Sequence, residues 1–100
     1  MILVRDVFQV KFGKAREAVA LWKEGATLAQ RTGYGAAPIR LLTDLTGPYY
    51  TLVAESTFRS LSDYEKALRD TLGADEWRSW YQRVVPLMET GRREVFTIVE

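Results

Sequence analysis

The chain has no cysteine, no histidine and no asparagine among its 100 residues. Without cysteine there can be no disulfide, no thiolate nucleophile and no thiolate-ligated metal. Without histidine the commonest general base near neutral pH and the commonest transition-metal ligand are also missing. Charge of one sign is lacking too: the formal net charge is +1, far from the basic field of a nucleic-acid binder, so no nucleic-acid partner is expected. Long apolar runs are absent. The start Met1-Ile2-Leu3-Val4 is broken by Arg5-Asp6, too short for a signal peptide or a membrane span, so a cytoplasmic protein without a membrane partner is expected. No carboxylates recur at metal-ligand spacing, no glycine-rich phosphate loop follows a strand, and no serine sits in a nucleophile elbow. The expectation is therefore no metal and no cofactor. Scarce thermolabile residues and ten arginines against four lysines fit a thermophilic source and a GC-rich genome equally well.

What is present reads as one globular domain over residues 1–100, with 47% hydrophobic and 27% charged residues. Ile2 to Lys11 is rich in β-branched and aromatic types, with Val4, Phe8, Val10 and Phe12 on one face and Leu3 and Val7 on the other. From Lys14 the period changes. Ala15, Ala18, Val19, Trp22, Ala26 and Ala29 form one helical stripe to about Arg31, with Gly33 and Gly35 as the stop. Ala37 to Thr43 is a short strand, and Asp44 to Pro48 is a hairpin connection. Tyr49 to Phe58 is the longest strand pattern. Ser60-Leu61-Ser62-Asp63 then caps a helix lined by Leu61, Tyr64, Ala67, Leu68 and Leu72. Gly73 breaks that helix, and Asp75 is placed to cap another carrying Trp77, Trp80, Tyr81 and Val84, which Pro86 should end. Gly91-Arg92-Arg93 leads into a last strand, Glu94 to Val99.

The order β-α-β-β-α-β predicts an α+β, ferredoxin-like sandwich: a four-stranded antiparallel sheet with the first and third strands central. Such a sheet has helices on one face only. Yet Ile2, Leu3 and Val4, and likewise Val95, Phe96, Ile98 and Val99, load both faces with apolar side chains. Hiding roughly 700 Å2 of such surface is worth roughly 17 kcal/mol before association costs. A twofold homodimer packing sheet against sheet is the expected partner arrangement, with Val53, Glu55 and Arg93 as interface candidates. Glu55, a carboxylate among apolar strand residues, requires a partner such as Arg93 or Arg5.

Val10-Lys11-Phe12-Gly13-Lys14 before the first helix, the hairpin Leu42 to Tyr50, the segment Phe58 to Glu65 and the tail Gly91-Arg92-Arg93-Glu94 together resemble NIPSNAP-like domains. These domains belong to the dimeric α/β-barrel superfamily, so the resemblance implies two ferredoxin-like protomers closing their sheets into a barrel. The superfamily also holds cofactor-free monooxygenases, isomerases, stress-response proteins and haem-degrading enzymes. The haem enzymes use a histidine ligand that this chain lacks.

In this architecture a pocket is expected between sheet and helices, with Trp22, Tyr34, Arg40, Tyr50 and Trp80 as ligand-binding candidates and Trp77 and Tyr81 beside them. An aromatic wall with one cation suits a planar or anionic organic ligand. At helical spacing the tryptophans also read as plain core. Two functions follow: a small-molecule-binding or scaffold domain, or a cofactor-independent monooxygenase or isomerase acting on a planar organic substrate.

Overall fold

The computed structural model describes every residue from Met1 to Glu100. In chain order the elements are β1 (Ile2–Val10), α1 (Ala15–Ala29), β2 (Ile39–Thr43), β3 (Thr51–Phe58), α2 (Leu61–Leu72), α3 (Asp75–Val84) and β4 (Met88–Thr97). The strands form one sheet in the order β2-β3-β1-β4, with every neighbouring pair antiparallel. The two strands richest in apolar residues on both faces, β1 and β3, are the central ones, as expected of a ferredoxin-like sandwich. The molecule measures 36 × 35 × 18 Å, thick enough for one sheet and one layer of helices.

Directly paired residues share a face of the sheet, so the register sorts every side chain. Ile2–Phe58, Val4–Ser56, Asp6–Ala54 and Phe8–Leu52 point toward the helices. Leu3–Thr57, Arg5–Glu55 and Val7–Val53 point away from them. The packed clusters lie on the first side, although Val7 and Val53 are also buried on the second. Val4 and Phe58 pack with Tyr64 and Ala67 of α2, Val10 and Leu52 pack with Ala18 of α1, and Leu28 of α1 packs with Trp80 and Val84 of α3. Trp80 is fully buried, and its indole N–H donates to the Leu21 carbonyl at 2.6 Å. Residue 25 must be glycine for this contact, because a Cβ there would overlap the Trp80 ring. No helix is long and apolar enough to cross a membrane.

Several boundaries differ from the sequence reading: β2 starts at Ile39 rather than Ala37, β4 ends at Thr97 rather than Val99, and four further differences have a local reason. The long strand begins at Thr51 rather than Tyr49, because Tyr50 adopts φ +60° and belongs to the turn. That unusual backbone is held by the Val10 N–H donating to the Tyr50 carbonyl at 2.8 Å and the Thr51 N–H donating to Asp44 Oδ1 at 2.9 Å. The first helix does not stop near Arg31 but runs on as a π-helical turn, Gln30–Tyr34, ending at Gly35. Ser60 caps α2 as expected, its Oγ accepting from the Asp63 N–H at 3.2 Å, whereas Ala74 takes the cap position of α3 and Asp75 is its first residue. The last strand starts at Met88, six residues before Glu94. Gly91, which looked like a strand entrance, sits inside it and leaves room for Phe8. A Cβ at Gly91 would lie 2.8 Å from the Phe8 ring.

Candidate functional site

The helix layer does not close completely over the sheet. Between them lies a cavity of about 800 Å3, floored by Asp6, Phe8, Ala54 and Ser56 and walled by Trp22, Ala26 and Ala29 of α1, Leu68 and Thr71 of α2, and Trp77, Trp80 and Tyr81 of α3. Its open side runs along Gly91, Arg92 and Arg93 of β4. That strand has little cover: all its residues except Met88 and Glu94 are exposed. The edge strand of a three-helix layer is the place where cover runs out.

Of the five ligand-binding candidates, Trp22, Tyr34 and Trp80 line this cavity, as do Trp77 and Tyr81. The tryptophans form a packed cluster, with ring centroids 4.8 Å apart for Trp22–Trp80 and 4.4 Å for Trp77–Trp80, and Trp22 rests on Phe8 at 5.0 Å. Both readings of them hold at once: they are core, and they are wall. Arg40 and Tyr50 do not belong to the cavity. Arg40 is on β2 directly opposite Glu55, on the face away from the helices, because one step along a strand reverses the face. Tyr50 is turned by its positive φ to the far end of the sheet, where it packs edge-on against Phe12 at 4.9 Å.

The interface candidates divide likewise. Val53 and Glu55 lie on the face away from the helices, as read from the sequence. Arg93 does not. It pairs in register with Asp6 and points to the helix side, so it is a cavity residue and cannot serve Glu55. Glu55 is held instead by Arg5 Nε at 3.0 Å and by Arg40 Nη2 at 2.7 Å. These two hydrogen bonds, Arg40's first, outweigh burial and hold its carboxyl below the ordinary value of 4.5.

Asp6 is the site residue that sequence reasoning missed, and Arg93, read there as an interface residue, is its partner. Asp6 Oδ1 accepts from Arg93 Nε at 2.6 Å, and the guanidinium carbon lies 5.7 Å from the Tyr64 ring centroid, within cation–π range. Burial works against the charge on Arg93, but the bond and charge of Asp6 prevail and its pKa is raised. Tyr34 and Tyr64, neighbours through Phe58 at 5.4 and 5.3 Å, have raised pKa values, chiefly from burial, and remain neutral phenols. The signal was present in the sequence: Asp6 falls in the same alternation as Val4, Phe8 and Val10, a carboxylate on the buried side of a central strand. Two polar atoms stay unpaired in the interior, Trp22 Nε1 and the Tyr64 hydroxyl.

Solved structures share this architecture over nearly the whole chain. A NIPSNAP domain protein from Burkholderia xenovorans is 16% identical and superposes with a TM-score of 0.88, covering 99% of this chain and 95% of its own. A NIPSNAP family protein from Agrobacterium tumefaciens is 17% identical, with a TM-score of 0.87 and coverage of 99% and 93%. SnoaB, a cofactor-independent oxygenase from Streptomyces nogalater, is 17% identical, with a TM-score of 0.74 and coverage of 99% and 93%. At such identities the likeness speaks to fold alone. No curated protein matches the sequence. The family model for NIPSNAP matches residues 5–100, from Arg5 in β1 to the last residue of the chain, and on that match this protein is a member of the NIPSNAP family.

Proposed function

We propose that this protein binds a small planar organic molecule in the cavity between its sheet and its helices, and that it does so as a homodimer. The observation that carries the reading is the cavity itself. Its volume of about 800 Å3 falls within the range of roughly 300–1,000 Å3 typical of small-molecule sites. Its walls are largely aromatic and apolar, with an ion pair at the open side, the composition that buries a flat ring system and orients its polar edge. Titration with 2-naphthol, read by tryptophan emission, tests this: Trp22, Trp77 and Trp80 all line the cavity, so saturable quenching is expected. Emission unchanged up to the solubility limit of the probe refutes it.

A second reading, cofactor-independent oxygenase chemistry, is favoured by one specific feature. A carboxylate, a guanidinium and a neutral phenol stand together in an apolar cavity, where a bound phenol can be oriented and its proton accepted. The shared fold with SnoaB is in keeping with it. Dioxygen uptake with an electron-rich planar phenol, measured against an Asp6→Asn control, decides the matter. Equal rates with and without protein leave binding as the function.

The dimer rests on the bare face of the sheet. There Arg40, Glu55, Arg5 and Glu94 stand side by side across all four strands, a row alternating in sign and joined by bonds of 2.7, 3.0 and 3.2 Å. A twofold axis parallel to the strands reverses such a row, setting each arginine of one protomer over a glutamate of its partner. Leu42 and Phe96, both apolar and exposed on the same face, would be covered. Sedimentation is expected to give twice the chain mass; a stable monomer at micromolar concentration removes the proposal.

A further inference from the structure

The ion pair at the mouth of the cavity is incompletely used. Arg93 donates to Asp6 Oδ1 through Nε, with the Tyr64 phenol beside its guanidinium, which leaves terminal N–H groups of Arg93 and the second oxygen of Asp6 open toward the cavity mouth. The result is a fixed set of vacant groups on one edge: donors on Arg93 and an acceptor on Asp6. Their formal charges cancel. At equal distance, an anion entering this corner is attracted by one and repelled by the other to the same degree, so nothing offsets the loss of its hydration. A neutral group carrying a donor beside an acceptor fits differently. Its carbonyl oxygen accepts from the Arg93 terminal N–H, its own N–H or O–H donates to Asp6, and every vacancy is filled without adding charge.

Farther inside, Trp22 of the cavity wall stacks on Phe8, two residues along β1 from Asp6. Same-face neighbours on a strand are roughly 7 Å apart, about the length of two fused rings. From these positions we infer that the cavity selects a neutral, planar, roughly two-ring molecule whose leading edge is a carboxamide, or a hydroxyl next to a carbonyl, read jointly by Asp6 and Arg93. The inner ring then lies against Phe8 and Trp22, which line the cavity. This deepens the binding function proposed above and rests on it.

The test compares three probes by calorimetry: 2-naphthamide (donor and acceptor), methyl 2-naphthoate (acceptor only) and 2-naphthoate (anionic acceptor). The intact protein is expected to bind the amide at least tenfold more tightly than either of the others. In Asp6→Asn the guanidinium is left uncompensated, and the preference should invert toward 2-naphthoate. Arg93→Lys keeps the charge but loses the planar fork, so the preference for the amide should fall below threefold. If all three probes bind the intact protein alike, or the anion binds best, this inference is overturned while the cavity stands as a binding site. Failure of all three to bind overturns both. An Asp6→Asn variant that folds, by its circular dichroism, and still prefers the amide also overturns it; should that variant not fold, Arg93→Lys with an unreduced amide preference does the same.

Discussion

Arg5 and Asp6 are neighbours in sequence and point to opposite faces of the same central strand, and their surroundings have little in common. Arg5 stands in a row of four charges that cross every strand, its guanidinium shared between Glu55 and Glu94. Glu55 is likewise engaged at both oxygens, and only 11% of its side chain is exposed. Asp6 has a single bond to a single arginine. A charge network satisfied from strand to strand is the signature of architecture: it fixes register and prepares a surface. A pair with unused donors and an unused acceptor, standing at the edge of a cavity, leaves hydrogen-bonding groups open to whatever enters it.

The contrast can be broken at several points, and the expected effects descend in size. Trp80→Ala removes the wholly buried wall of the helix side, and unfolding free energy should drop by about 3–5 kcal/mol in denaturant melts. A loss under about 1 kcal/mol would mean that the cavity wall is not core. Next comes the bare face. Glu55→Ala leaves Arg5 and Arg40 without their shared carboxylate and should cost about 2–3 kcal/mol, together with weaker self-association in sedimentation.

The same carboxylate gives the comparison a pH axis. Because Glu55 is held below its ordinary value of 4.5, its contribution is complete above that value and is lost as pH falls through the folded pKa. The difference in melting temperature between the parent and Glu55→Gln should therefore shrink on acidification below about pH 4.5, and a difference that grew instead would reverse the sign assigned here. Asp6→Asn should cost under about 1 kcal/mol, since Arg93 is nearly half exposed and an amide oxygen can still accept its bond. Its effect belongs to ligand choice. Smallest of all, Arg31→Ala breaks an exposed pair with Glu76 and should stay within about 0.5 kcal/mol, a control for charge removal as such.

The parity of β1 and β3 was legible because both strands are patterned along their length. Val4, Phe8 and Val10 on one side and Leu3 and Val7 on the other fall where alternation places them. The same rule applied to Asp6 would have found the site. It was hidden by its neighbour, because Arg5-Asp6 reads as a polar interruption until the two residues are assigned to separate faces. Arg40 and Arg93 were assigned to the wrong sides for a related reason. On short or edge strands, where polar and apolar residues mix, the pattern does not fix the register, and one residue of slip exchanges the faces. Tyr50 illustrates another limit: its positive φ comes from hydrogen bonds to Val10 and near Asp44, contacts between segments that no local propensity encodes.

Local chemistry alone settled the element order, the Ser60 cap, the split of the second helical region at Gly73 and the central position of the two most apolar strands. These depend on periodicity, capping and turn residues within a few positions of one another. Which charges meet was decided only by tertiary structure. Asp6 and Arg93 lie 87 positions apart, Arg5 and Glu55 lie 50 apart, and the cavity exists because three helices fall short of the β4 edge. Alternation tells each residue which way to face, but only the assembled sheet tells it whom it will face.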